Sequence, residues 1–126
     1  MTKLRDIYYC EICGNVVEIL NEGQPSLVCC GEEMKLLEAQ TQDSSTEKHV
    51  PYIEDTNSGV IVKIGQNQEH PMLEKHYIKF IEVQTKDKVF RAELKPGMKP
   101  QAEFPIKKSE IIVAREWCNI HGLWKS

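Results

Sequence analysis

The chain has 126 residues, of which 28% are charged and 40% hydrophobic, and its formal net charge is −3. This length accommodates one ordinary domain, or one modest domain beside a small module that a metal holds together. The acidic balance lacks the basic excess of a nucleic-acid binder, so nucleic acid is not expected as a partner. The N-terminus shows no signal peptide, and no stretch approaches the roughly 18 apolar residues of a membrane span. We therefore expect a cytoplasmic protein without a membrane partner.

Residues 1–37 are predicted to form a small module that a metal stabilises. Short strands are expected at 7–9 and 15–20, with a turn at 21–23. The chain has five cysteines, an odd number that cannot pair fully within one chain, and a reducing compartment disfavours disulfides. Thiolate ligation is therefore the better use for the four cysteines of this module, which are Cys10, Cys13, Cys29 and Cys30.

These four cysteines have the spacing of a four-sulfur metal site. Cys10 and Cys13 form a knuckle, in which two intervening residues let both sulfurs face one ion and Gly14 lets the backbone turn tightly. Cys29 and Cys30 are neighbours, whose side chains normally diverge, so ligation by both should distort the tetrahedron. Four sulfurs suit iron or zinc, and a structural zinc ribbon stays open as an alternative. A disulfide between the adjacent cysteines would be strained and is disfavoured.

Residues 38–46 read EAQTQDSST, a polar run with no apolar period, and are predicted to be a linker. Residues 47–126 then form a second domain. Strand-like segments recur there with turn signals between them, at 59–65, 77–83, 89–94, 102–106 and 111–115, and apolar and polar residues largely alternate in the first two. Short strands at this spacing predict a mainly β protein, with an antiparallel β-sandwich of Ig-like topology after the small metal-binding domain.

The second domain holds a second set of metal donors, which contains every histidine of the chain. A single histidine of this kind is more often a surface or hydrogen-bonded side chain than a ligand. The complete set predicts one shared site, because loop and strand-end positions converge at one end of a sandwich. The donors are His49, His70, His76, Cys118 and His121.

Five donors leave one octahedral position open, where a redox metal can bind and transform a small molecule. Zinc rarely takes five protein ligands. A blue-copper site would need an axial methionine shortly after the last histidine, and residues 122–126 contain none. Iron is therefore favoured, with thiolate donation stabilising its ferric form.

The motifs CEICGN, LVCCGEEM, EKHVP, HPM, EKHYI, LKPG and AREWCNIHGLWK together resemble the desulfoferrodoxin family, the two-iron superoxide reductases. The resemblance runs along nearly the whole chain. It implies a desulforedoxin-like domain with iron on the four N-terminal cysteines, followed by an Ig-like sandwich, and it implies a homodimer. It also implies one-electron reduction of superoxide to hydrogen peroxide without oxygen release, and a rubredoxin-type protein as electron donor.

The same resemblance assigns roles at the second site. The four histidines would be equatorial iron ligands and Cys118 the axial one. Glu47 would be a carboxylate that closes on ferric iron, and Lys48 the cation that draws in superoxide and helps to supply protons. From the residues alone, these two would read as solvated charges ahead of a strand. Leu123 departs from many relatives, which carry histidine there, and its effect is left open.

Two other functions remain at this point. The chain would be an electron carrier or iron-binding protein if both metals were coordinatively closed, but five protein ligands rather than six argue against that. It would be a zinc-ribbon interaction module if the sandwich were passive, which would leave four histidines without a use. The sequence gives neither redox potentials nor the physiological donor.

Overall fold

A computed structural model describes residues 1–43 and 48–126. The chain divides into two compact units, Met1–Glu38 and Ala39–Ser126. The described residues contain strands and one short 3-10 helix, and none of their helices is long and apolar enough to cross a membrane.

The first unit consists of five short strands with little buried surface. The chain reverses between β1 and β2 at the Cys10–Cys13 knuckle, and not at residues 21–23, where a turn was predicted. Gly23 instead exchanges hydrogen bonds with Thr2, at 3.0 and 2.8 Å. A core this small needs a metal to stabilise it. The strands are β1 Ile7–Tyr9, β2 Val16–Glu18, β3 Val28–Cys29, β4 Glu32–Glu33 and β5 Lys35–Leu36, in sheets of order β2-β1-β5 and β3-β4.

The second unit is built from two antiparallel sheets whose apolar faces meet. Its elements are β6 Pro51–Thr56, β7 Gly59–Ile64, β8 Ile78–Gln84, β9 Val89–Glu93, β10 Gln101–Phe104, a 3-10 helix Lys108–Glu110, β11 Val113–Cys118 and β12 Gly122–Lys125. One sheet has the order β10-β7-β6 and the other β12-β11-β8-β9. Val62 of one sheet and Ile81 of the other belong to one buried cluster and are both fully buried. The predicted mainly β fold with an antiparallel sandwich is confirmed.

The register of the sheets positions the metal donors. β11 pairs with β8 from Val113 to Cys118, with a shift between Trp117 and Cys118. The strand therefore runs three residues beyond the predicted end at Arg115. This extension carries Cys118 to the end of the four-stranded sheet, with its thiol in the buried cluster.

Candidate metal centres

The first centre is formed by four thiols that converge although two of them belong to adjacent residues. The sulfur atoms of Cys10, Cys13, Cys29 and Cys30 all lie within 4.8 Å of one another. Cys30 has a left-handed backbone, with φ of 55°, an uncommon conformation for a residue other than glycine. We attribute the convergence of the two neighbouring side chains to this backbone turn. None of these cysteines is in a disulfide.

The sulfur spacings fit a tetrahedral metal. An ion with bonds of about 2.3 Å to four sulfurs sets the sulfurs about 3.8 Å apart. The Cys13 and Cys29 sulfurs are 3.5 Å apart, and those of Cys29 and Cys30 are 3.9 Å apart. The thiols therefore form a cradle of the size that iron or zinc requires.

The thiols of the first centre differ in how readily they ionise. The backbone N–H of Cys13 donates to the Cys10 sulfur at 3.5 Å and lowers the pKa of the Cys10 thiol to about 7, against the opposing effect of burial. Hydrogen bonds to Cys13 and Cys29 raise the pKa of Cys30 to about 12. The first thiolate thus opposes ionisation of the next, and a bound cation is what lets four thiolates coexist.

The second centre lies in the Ala39–Ser126 unit and takes its donors from four separate segments. Donor atoms of His49, His70, Cys118 and His121 lie within 4.8 Å of one another. His49 precedes β6, His70 lies between β7 and β8, Cys118 ends β11, and His121 lies in the turn before β12. His76 falls outside this tight set of four donor atoms, although its ring lies beside two of the others.

The four imidazole rings form a closed cycle in which each ring lies beside two others. The ring-centre distances are 4.5 Å for His49–His70, 4.9 Å for His70–His76, 5.1 Å for His76–His121 and 4.9 Å for His121–His49. A square with sides of 4.5 to 5.1 Å has half-diagonals of about 3.2 to 3.6 Å. A metal bound to an imidazole nitrogen lies about 2 Å from that nitrogen and about 3 Å from the ring centre. The cycle therefore has the size of four imidazoles around one metal ion.

The chemistry of this donor set fits iron. Four neutral imidazoles and one thiolate supply five ligands of intermediate and soft character, without a carboxylate among them. Cys118 is fully buried, whereas His121 is exposed. Five donors on one ion would leave one position of an octahedron without a protein ligand.

His49 is held by contacts on two sides of its ring. Its Nδ1 lies 3.4 Å from a carboxylate oxygen of Glu116, which is fully buried. Trp124 stacks on the ring at a centre distance of 4.5 Å and an interplanar angle of 11°. With Nδ1 facing a carboxylate, Nε2 is the nitrogen left for a metal, and the carboxylate makes the imidazole a stronger donor.

Other contacts orient the remaining imidazoles. Nδ1 of His70 lies 2.7 Å from the carbonyl oxygen of Pro71, an arrangement that also leaves Nε2 for a metal. Asn119 connects two ligand-bearing segments, because its side chain accepts from the Tyr77 N–H at 2.9 Å and donates to the Lys75 carbonyl at 3.0 Å. The turn between Cys118 and His121 is thereby fastened to the segment that carries His76.

Lys48 is half-buried and lines a cavity of about 320 Å³ together with Asp43 and Tyr52. It is adjacent in sequence to His49, so its ammonium belongs to the segment that enters the metal centre. Glu47, the other residue of the predicted pair, lies outside the described residues. Leu123 is buried on β12 opposite Trp117, where an apolar side chain is well accommodated.

Several residues around the second centre were not identified from the sequence. Asn119 and Trp124 do lie inside the motif AREWCNIHGLWK, which is the one signal that could have drawn attention to them. Glu116 lies in the same motif but reads as an ordinary strand charge. Gln40 and Asp43, in the polar run that is predicted to be a linker, carry no signal at all.

Comparison with known proteins agrees with this architecture. The model of the desulfoferrodoxin family matches residues 41–126, and that of the desulfoferrodoxin N-terminal domain matches residues 2–37. A desulfoferrodoxin of Syntrophotalea carbinolica is 51% identical over 126 residues, covering 100% of this chain and 98% of that protein. The desulforedoxin of Megalodesulfovibrio gigas is 62% identical over 34 residues, covering 27% of this chain and 92% of that protein. The crystal structure of the superoxide reductase from Treponema pallidum has a TM-score of 0.78 at 25% identity and covers 96% of each chain.

The β-rich fold, the four converging thiols of the first centre, and the imidazole cycle with the nearby Cys118 thiol define a metalloprotein with two centres. Both family models match, and together they cover nearly the whole sequence. The chain belongs to the desulfoferrodoxin family.

Proposed function

We propose that this chain is a superoxide reductase, an oxidoreductase that reduces superoxide by one electron to hydrogen peroxide without releasing oxygen. The observation that carries this proposal is the cycle of four imidazoles together with the buried Cys118 thiol, which lies within 4.8 Å of donor atoms from three of them. Such a donor set fits an iron ion with one open position. The similarity to the Treponema pallidum superoxide reductase supports the same chemistry.

The residues of the second unit would hold the catalytic iron at His49, His70, His76, His121 and Cys118. When bound, the iron would supply one electron per turnover, passing from ferrous to ferric. Superoxide would approach from the side of His121, because His121 is exposed whereas Cys118 is fully buried. The carboxylate of Glu116 adds negative charge behind His49, which favours the ferric product.

Lys48 provides the positive charge that an anionic substrate needs at this site. The chain as a whole is negative, so superoxide must be attracted by a local field. The Lys48 ammonium also helps to supply the two protons that the reduction of superoxide to hydrogen peroxide consumes. We assign to Glu47 the role of a carboxylate that approaches the ferric centre at rest. An unchanged ferric absorption spectrum in Glu47→Ala would contradict that assignment.

The electrons come from outside the chain. We propose that the iron held by Cys10, Cys13, Cys29 and Cys30 in residues 1–37 stores or relays them, and that a rubredoxin-type protein delivers them. Residues 47–126 then form the catalytic domain, joined through residues 38–46. We further propose a homodimer that works in the cytoplasm, where reducing conditions keep thiols available for metal binding.

Metal analysis with an oxygen-monitored superoxide assay tests the proposal. We expect two irons per chain, absorption changes on mild reduction, and consumption of superoxide without release of oxygen. His70→Ala should lose the second iron and the activity while the four-sulfur absorption persists. Protein that binds only zinc would refute the enzyme, and release of oxygen would indicate a dismutase instead.

A further inference from the structure

We propose that residues 39–43 are a positioning element of the catalytic iron site, acting through Gln40 on His121 and through Asp43 on His49. The inference deepens the proposed function and rests on its donor set. It assigns a role in the metal centre to a segment whose composition is that of a linker.

Gln40 fastens the turn that carries His121. Its side-chain amide donates to the His121 carbonyl at 2.8 Å, and the same carbonyl accepts from the indole N–H of Trp124 at 3.2 Å. The backbone of Gln40 pairs in parallel with Trp124, since its N–H donates to the Leu123 carbonyl and its own carbonyl accepts from the Lys125 N–H, both at 2.9 Å. The backbone pairing with β12 therefore positions the Gln40 side chain beside the turn that carries His121.

Asp43 fastens the segment that carries His49. One of its carboxylate oxygens accepts from the backbone N–H groups of His49, at 2.6 Å, and Val50, at 2.8 Å. Hydrogen bonds to a carboxylate are shorter and stronger than those between neutral groups. The two N–H groups lie just before β6, so the carboxylate holds the backbone at the point where this strand begins.

Both contacts act on ligands that are neighbours in the cycle of imidazoles. The rings of His49 and His121 are 4.9 Å apart, and both residues lie in loops rather than in strands. The other two histidines have backbone support from nearby turns, because the His70 N–H donates to the Ile64 carbonyl and the His76 N–H to the Leu73 carbonyl, each at 3.1 Å. Residues 39–43 add hydrogen bonds to both loops, since Gln40 donates to the His121 carbonyl and Asp43 accepts from the His49 N–H. The His121 N–H also donates to the Cys118 sulfur at 3.5 Å.

Three variants and a control test this role in the iron-loaded protein. Asp43→Ala removes the acceptor, Asp43→Asn keeps an acceptor oxygen without the charge, and Gln40→Ala removes the donor to His121. The exposed Gln42→Ala changes the same segment without touching either ligand. Hydrogen exchange followed by mass spectrometry reports on peptides that span 48–51 and 119–123. Release of the catalytic iron to a chelator, followed through its absorption, gives a second readout.

We expect Asp43→Ala to speed exchange at 48–51 by at least about tenfold, because hydrogen bonds to a charged acceptor are lost. Release of the catalytic iron should become about 10 to 100 times faster, the usual effect of removing a residue that supports a metal ligand. Gln40→Ala should speed hydrogen exchange at 119–123. Asp43→Asn should bring hydrogen exchange at 48–51 and iron release most of the way back to the wild-type rates. Near-ultraviolet circular dichroism from the tryptophans checks that each variant folds.

Two results would overturn the inference. One is that Asp43→Ala and Gln40→Ala match Gln42→Ala in both exchange and iron release. The other is that Asp43→Asn shows exchange at 48–51 and iron release as fast as those of Asp43→Ala, since an acceptor oxygen at this position would then not be what holds the segment. Neither readout involves superoxide, so failure of this inference leaves the proposed reductase activity intact, and absence of that activity leaves these measurements interpretable.

Discussion

Replacing Glu82 with glutamine tests how much of the stability of the second unit depends on one buried charge network. Glu82 is fully buried on β8, and its register partners on the flanking strands are both arginines. Arg115 Nε donates to one carboxylate oxygen at 2.8 Å, and Arg91 Nε to the other at 2.9 Å. Gln84 is a third residue that donates to this carboxylate, at 2.8 Å. Glutamine keeps the size of the side chain and removes its charge.

The expected loss follows from the burial of the two arginines. Removing one partner of a buried ion pair costs roughly 3 to 5 kcal/mol, because the other charge is left uncompensated. That cost applies to Arg115, which is only 9% exposed. The side chain of Arg91 is 34% exposed and can turn its charge to water, so its share is small. We expect a loss near the lower limit, about 3 kcal/mol, which lowers the Tm of a domain of this size by roughly 12 to 24 °C.

Thermal unfolding of the iron-loaded protein at pH 7, followed by circular dichroism, measures this loss. Glu93→Gln is the matched control, because Glu93 is exposed on the neighbouring strand β9. Its stability should stay within about 0.5 kcal/mol of the wild type. A decrease of less than about 4 °C for Glu82→Gln would refute the reasoning and show that the arginines find other partners or water.

The same variant gives a test of pH dependence. Burial raises the pKa of Glu82, but the charge of Arg115 with the bonds from Gln84 and Arg91 outweighs it and holds the pKa below its ordinary value of 4.5. A carboxyl with a lowered pKa stabilises the fold fully above its unfolded pKa, and this stabilisation is lost as the pH falls through the folded pKa. The Tm difference between wild type and Glu82→Gln should therefore be constant above pH 4.5 and narrow below it. Because both proteins lose iron in acid, measuring the Tm difference between them at the same pH cancels this contribution.

Three further predictions concern the catalytic centre. Lys48→Ala should slow the capture of superoxide by about tenfold at low salt, and the difference from the wild-type rate should shrink as salt is added. Pulse radiolysis measures this rate, and Lys86→Ala, which removes an exposed lysine elsewhere, is the charge-matched control. Glu116→Gln removes the negative charge beside His49 and should raise the midpoint potential of the second iron in a redox titration. Asn119→Ala should weaken iron binding by about 10 to 100 times in chelator competition, because two ligand-bearing segments lose their connection.

The strands of the sandwich core could be predicted because their side chains alternate. β7, β8 and β9 carry apolar residues that point to one buried face, and the turn at 86–88 separates the last two as expected. β6 was missed because it is an edge strand whose last three residues, Glu54–Thr56, are exposed and polar. β12 was missed because its four residues directly follow the turn that carries His121 and are too few to show an alternation of apolar and polar residues.

The metal donors could be predicted for a different reason, which is that cysteine and histidine are scarce and their spacing is restrictive. The sequence predicts five donors for the second centre, and the structure brings the donor atoms of four of them within 4.8 Å of one another, with the ring of His76 beside them. The residues that orient the donors are common ones, such as Gln40, Asp43 and Asn119. Their role depends on which backbone group each one reaches, and that is decided by the fold.

Glu116 shows where pattern reasoning could be extended. On β11, Ala114, Glu116 and Cys118 alternate onto one face, and the first and last of these belong to the buried core cluster. A charge on a buried face is retained only where something compensates for its loss of water. If Cys118 is a metal ligand, then Glu116, two residues earlier on the same face of the strand, is predicted to face the metal centre. The structure places a carboxylate oxygen of Glu116 3.4 Å from His49 Nδ1, and this contact compensates the buried charge. A charged residue on the buried face of a strand is therefore itself a signal of function, because departures from the usual pattern of buried apolar and exposed polar residues occur most often at functional sites.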